Sequence, residues 1–255
     1  MKKKTLSIIE KVVFSVVAIS IVCVCFASLI QMPNAPIKGD VVGNITNKTQ
    51  SDYTLILVMG IPAFIALFLP FFLRKKFNIE VPTTIKIIYD IFFFCAVVLG
   101  EYFSFYYIFD GWDSILHFTS AILITYIAYS IIVAVIGEEK VKAHPWMIIF
   151  FSIAIAEFAG TMWELCEFTM DSFGLNSQKF QDGNGVDLVG RAALMDTMCD
   201  VIVNSLGTVT ANIFGYYSLK HEKVFFESVL IKKVETEGVK EYDNNSCSGS
   251  VWSRK

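Results

Sequence analysis

Three short stretches of this sequence place acid, imidazole and amide side chains at helical spacing inside otherwise apolar surroundings. Asp113 and His117 are four residues apart, so on a helix they stack on one side. Glu157, Glu164, Glu167 and Asp171 follow at steps of seven, three and four, which keeps all four on one stripe with Gly160 completing it. Asp196, Asp200 and Asn204 advance in steps of four, with Gly207 and Thr208 one turn further. Carboxylates and an amide oxygen in such positions suit a hard divalent cation, Mg2+ or Mn2+, and a histidine beside an aspartate suits proton transfer. The catalytic candidates are therefore Asp113, His117, Glu164 and Glu167. The metal-ligand candidates are Glu164, Asp196, Asp200 and Asn204.

The surroundings give these residues their weight. Of 255 residues, 55% are hydrophobic and only 18% charged, too apolar for a domain with a solvated surface. An all-α polytopic membrane bundle is the fold class this implies. Apolar runs at about 12-31, 53-73, 84-109, 113-136, 147-170 and 196-218 predict six transmembrane helices in one domain, 1-219, followed by a polar tail, 220-255. An ionised carboxylate at mid-bilayer costs at least about 2.5 kcal/mol, so seven acids at one depth require compensation. The apolar runs contain no lysine or arginine at that depth, which leaves shared protons, a bound cation or water. Arg191, just before the last run, is placed to fold over the cluster.

Each polar residue taken singly has a bland reading as a helix cap or an interhelical hydrogen bond. Three helices presenting acids at one depth and on one face each argue for a site. Glu101 could join from a fourth side, and Asp90 falls toward the opposite interface. Tyr102, Phe103, Phe105, Tyr106, Tyr107 and Trp112 read as an interfacial aromatic belt. Trp163 could face either way, and His144 and His221 read as loop and tail residues.

Basic residues orient the bundle. With the N-terminus inside, 17 of the 21 Lys and Arg fall in inner segments, and only Lys38, Lys48, Lys179 and Arg191 lie outside. The positive-inside rule then puts both termini in the cytoplasm, with 31-52 and 172-190 as exposed outer loops. The lysines at positions 2 to 4 resemble a signal peptide start, but the apolar run behind them is long and has no evident cleavage site, which favours an uncleaved first span. Six cysteines show no metal or disulfide spacing. The sequons at Asn44 and Asn47 carry no weight in a bacterium, and neither nucleic acid nor an acidic soluble partner is indicated.

Read together, Asp113-x3-His117-Phe118, Trp163-Glu164-x2-Glu167-Phe168 and Asp196-x3-Asp200-x3-Asn204-x2-Gly207 resemble the uncharacterised bacterial membrane family typified by YjdF. More distantly, over roughly 84-218, the order is similar to the VanZ-like membrane proteins, whose middle motif has Glu-x2-Gln. The first resemblance implies no known activity. The second implies envelope biology and tolerance to glycopeptide antibiotics. Three functions fit the residues: a divalent-metal enzyme on a lipid-linked envelope substrate, a cation- or proton-coupled transporter, and a non-enzymatic accessory protein. A three-histidine zinc hydrolase fits less well, since His144 and His221 stand outside the cluster. Neither a repeat nor a pair of broken helices, the pointers to alternating access, is visible.

Overall fold

The computed structural model describes residues 2–37, 48–136, 141, 144–181, 186–220 and 232–233. The sequons at Asn44 and Asn47, the inner lysines Lys140 and Lys142, His221 and nearly all of the 220-255 tail lie outside them.

Helix α1 (Lys2–Gln31) buries Val17, Ile21, Val24 and Ser28, a single seam at steps of four and three, and exposes Val12, Val16, Ile19 and Phe26. Helix α2 (Gln50–Ala66) opens on a capping box. Thr49 Oγ1 accepts from the Asp52 amide, and Asp52 accepts from the Thr49 amide. The run expected as one span over 53-73 is broken after Ala66, because Pro70 has no amide to give the Ala66 carbonyl. Tyr89 Oη donates to that carbonyl at 2.9 Å, and α3 (Leu69–Phe77) follows after the two-residue break.

Helix α4 (Thr83–Phe93) runs on into π-helical turns over Phe94–Tyr102. The chain then stops being a helix, which corrects the expected 84-109 span. Ser104 adopts a left-handed conformation at φ 60°, held by Lys48 Nζ donating to its Oγ at 2.6 Å, and a one-turn helix, α5 (Phe105–Ile108), follows. Helices α6 (Trp112–Ile136), α7 (Pro145–Asp171) and α8 (Met195–Lys220) complete the order. Strands β1 (Ile79–Glu80) and β2 (Lys232–Lys233) pair antiparallel beside α3.

Two cores result. One, built from Val17, Ile21, Val24, Ala63, Leu67, Val97 and Val98, joins α1, α2 and the π-helical turns that follow α4. The other, around Leu123, Tyr126, Tyr129, Ile132, Ile148 and Ala211, joins α6, α7 and α8 with the start of α4. Within the second trio glycines set the spacing. A Cβ on Gly207 would lie 2.5 Å from the Phe118 carbonyl oxygen of α6, and one on Gly160 would lie 2.7 Å from Asn204 Nδ2 of α8. The two trios meet more loosely, and a cavity opens between them.

Among the described residues, five helices are long and apolar enough to cross a membrane, at 4–34, 50–77, 83–102, 112–133 and 145–171. Helix α8 is not one of the five, because its buried face carries Asp200, Asn204, Thr208 and Asn212. Large apolar side chains cover the outside of the helices, among them Phe26, Phe150, Phe158, Phe168 and Ile213, each more than 60% exposed. That surface suits hydrocarbon and would be costly in water.

Candidate functional site

The polar site gathers where the start of α6, the end of α7 and the start of α8 converge. His117 is its centre. Its Nε2 lies 3.5 Å from Asp113 Oδ1 and 3.9 Å from Asp200 Oδ2, while Nδ1 lies 3.9 Å from Glu164 Oε1. These separations are too long for direct hydrogen bonds. The imidazole therefore stands among three carboxylates without being tied to them.

The same two oxygens, Glu164 Oε1 and Asp200 Oδ2, are buried and have no hydrogen-bond partner. A void of about 10 Å³ lies among His117, Glu157, Glu164, Asp200 and Asn204, the scale of one ion or one water. Ligand atoms of Asp113, His117 and Asp200, and separately of His117, Glu164 and Glu167, fall within 4.8 Å of one another, close enough to share a metal ion. Asn204 Nδ2 donates to Glu157 Oε2 at 3.3 Å, and Ser205 Oγ donates to the same oxygen at 3.1 Å. Asn204 thus keeps its amide oxygen for the void.

The structure places His117, Glu164, Glu167, Asp200 and Asn204 in one buried group, each under 8% exposed. Asp196 stands apart from it. Its Oδ1 accepts from Lys179 Nζ at 3.0 Å, and its place is the outer edge of the group with Asp113, which accepts from the same ammonium. The ligand set expected from spacing thus divides, with Asp196 on Lys179 and Glu164, Asp200 and Asn204 around the void. Glu101 lines the neighbouring cavity, and Asp171 accepts from the backbone amides of Ser177 and Gln178.

Lys179 was missed by sequence reasoning, which found no cation at this depth and looked to Arg191. Arg191 is exposed. Within the expected outer loop 172-190, residues 176–179 instead fold back over the site. Ser177 Oγ donates to Glu167 Oε1 at 3.1 Å, and Gln178 Nε2 donates to the Glu164 carbonyl at 3.2 Å and to its Oε2 at 3.3 Å. Burial lowers the proton affinity of the Lys179 ammonium, but Asp113 and Asp196 more than reverse this and hold its pKa above the usual lysine range. Lys48, another cation at this end, is the opposite case. Burial outweighs Asp52 and Glu101 and pulls its pKa down. The sequence signal that was available is Asn176-Ser-Gln-Lys179, a run of short polar donors between two acidic helices; Asn176 and Lys179 both take left-handed backbone, which closes the loop tightly.

Beside the site lies a cavity of about 620 Å³ in the seam between the trios. Val58, Pro62, Phe92, Val97, Leu116 and Ile124 give it apolar walls, and Glu101, Tyr106, Asp113, His117, Glu167 and Asn204 line its polar side. Trp163 faces it. From Asp113 to Ile124 it follows α6 for about 16 Å. Tyr106, one of the expected belt aromatics, is instead packed on Gly100, where an added Cβ would overlap its ring.

Comparison with known proteins agrees with a membrane-embedded chain. A protein of Thermotoga maritima, described as uncharacterized, is 30% identical over 149 residues, covering 56% of this chain and 67% of that protein. No solved structure matches. The YjdF-like motif order fits the family found, whereas the VanZ-like similarity rests on the motifs alone. With residues 41–221 matched by the family described as predicted membrane protein (DUF2238), this multi-pass membrane protein belongs to the DUF2238 family.

Proposed function

We propose that the chain is a membrane-embedded, divalent-metal-dependent enzyme acting on a lipid-linked envelope substrate in a bacterial cytoplasmic membrane. The observation that carries this reading is the pair of buried, unpartnered oxygens, Glu164 Oε1 and Asp200 Oδ2, each 3.9 Å from His117 in residues that line an ion-sized void beside a lipid-sized apolar cavity. Leaving two such acceptors unsatisfied is expensive, and a hard cation bound by Glu164, Asp200 and the Asn204 oxygen removes the cost. Mg2+ or Mn2+ fits the oxygen donors. When bound, the cation would polarise the substrate's reacting group or a water. His117, oriented by Asp113, takes or gives the proton, and Glu167 at the cavity wall is the second acid–base group. The VanZ-like motif order supports an envelope role.

In this reading α8 is the sixth span, both termini are cytoplasmic and the site opens to the outer leaflet. The positive-inside count supports that orientation.

The test is metal content and lipid turnover of protein purified into nanodiscs. The wild type should carry one or more equivalents of a divalent metal, and Asp200→Asn and Glu164→Gln should lose it with all turnover of lipid extracted from the host envelope. A metal-free wild type, or variants with unchanged turnover, would refute the reading. A second reading, a proton- or cation-coupled transporter, has one observation in its favour. The polar face of α8 continues inward through Thr208 and Asn212, where Asn212 Oδ1 accepts from Tyr129 and Ser152. It predicts pH-dependent flux into liposomes that Asn212→Leu abolishes.

A further inference from the structure

We propose that the substrate's head group is a primary ammonium, and that Lys179 occupies its seat as a tethered competitor. This deepens the proposed function, resting on the cavity as the seat of an amphiphile.

The apolar cavity and a smaller vestibule of about 310 Å³ share two lining residues, Tyr106 and Asp113. The Lys179 ammonium is at that junction. It donates to Asp113 and to Asp196 Oδ1, and stands 5.7 Å from the centre of the Tyr106 ring. Two carboxylates and an aromatic face are the complement of an alkylammonium, and here an alkylammonium fills them. An acceptor remains even when Asp200 Oδ2 holds the metal. Asp196 Oδ2 is buried without a hydrogen-bond partner, and Asp200, 2% exposed with its own unpartnered Oδ2, lines the vestibule and adds its charge.

An amphiphile lying with its chain in the apolar cavity would bring its head to this junction, because the polar residues are gathered at that side. An anionic head would meet Asp113, Asp196 and Asp200, and a neutral one would leave their charge unanswered. An ammonium can replace the Lys179 group with like charge and like donors. The loop holding Lys179 is attached through the Ser177 and Gln178 side chains and through their amides, which donate to Asp171, so the exchange displaces a short segment hinged on Asp171. Binding of the amine and release of the loop are then one event.

The test uses the full chain in nanodiscs with four probes of equal chain length: dodecylamine, dodecyltrimethylammonium, dodecanol and dodecyl phosphate. Trypsin cuts after Lys179 only when the loop is released, and mass spectrometry reads the peptide ending there. Dodecylamine should raise that cleavage and the melting temperature of the uncut protein. The quaternary amine, which partitions similarly but has no N–H to donate, should do neither. Lys179→Met should bind dodecylamine about tenfold more tightly or better, since a tethered competitor is gone. Asp196→Asn, which leaves His117 and the void untouched, should lose amine binding.

Equal effects of the amine and its quaternary analogue, a preference for dodecyl phosphate or dodecanol, or unchanged amine affinity in Lys179→Met would each overturn the proposal. Metal content is read in the same preparations. Metal present without amine selectivity defeats this inference alone, and selective amine binding without metal defeats the enzyme reading while leaving the ammonium seat in place.

Discussion

At the residue scale the site is a problem of charge. Five buried or half-buried acids, Asp113, Glu164, Glu167, Asp196 and Asp200, face one histidine and one lysine. Because the Lys179 pKa is raised, the ion pair's stabilisation is complete below the ordinary lysine pKa of about 10.4 and is lost only as pH rises through the higher folded value. Lys179→Met should therefore lower the melting temperature by a constant amount between about pH 7 and 9. A gap that closes over that interval would mean that the ammonium is not held as the geometry indicates. The stacked acids were legible from spacing alone because steps of three and four fix a helix face. Lys179 was not, since its place depends on how a loop without periodicity folds back. Asn212, Ser152 and Tyr129, which hydrogen-bond across three helices, were also passed over, because a lone amide or hydroxyl in an apolar run has no partner visible in one dimension.

Helices were located well and their interruptions were not. Pro70 and Ser104 break segments that hydropathy reads as continuous, since hydropathy reports solvent preference and not whether a carbonyl has lost its donor. Gly160 and Gly207, which sit in the two acidic stripes, are places of close approach between helices. Gly160 packs on α8, and Gly207 packs on α6 and not on α7. The two should respond differently to one added methyl. At Gly207 the obstacle is the Phe118 backbone carbonyl, which cannot move without shifting α6, so Gly207→Ala should cost about 1–3 kcal/mol of stability by overpacking and lower the melting temperature accordingly. At Gly160 the obstacle is the Asn204 side chain, which can turn away. Gly160→Ala should keep most of its stability and lose metal binding instead. Thermal melts and metal analysis of both variants decide this, and equal destabilisation of the two would contradict it.

For the molecule as a whole, the orientation proposed from charge has a direct check. Val189, 86% exposed, belongs to the loop that covers the site, and Lys75 lies on α3 at the other end. In a background without native cysteines, Val189→Cys should react with an impermeant thiol reagent in whole cells and Lys75→Cys should not; the reverse pattern would invert the bundle. Each helix trio has its own core, and they are joined through the stretch between Ser104 and Trp112, where exposed Gly111 turns at φ 84°. The chain is in effect two inserts written on one message. If the gene is divided at the codon for Gly111 and the halves are expressed as separate polypeptides, they should meet in the membrane and co-purify through a tag on either one. Helices α1 to α5 recovered alone would show that the covalent link, and not the seam that bounds the cavity, holds the two trios together.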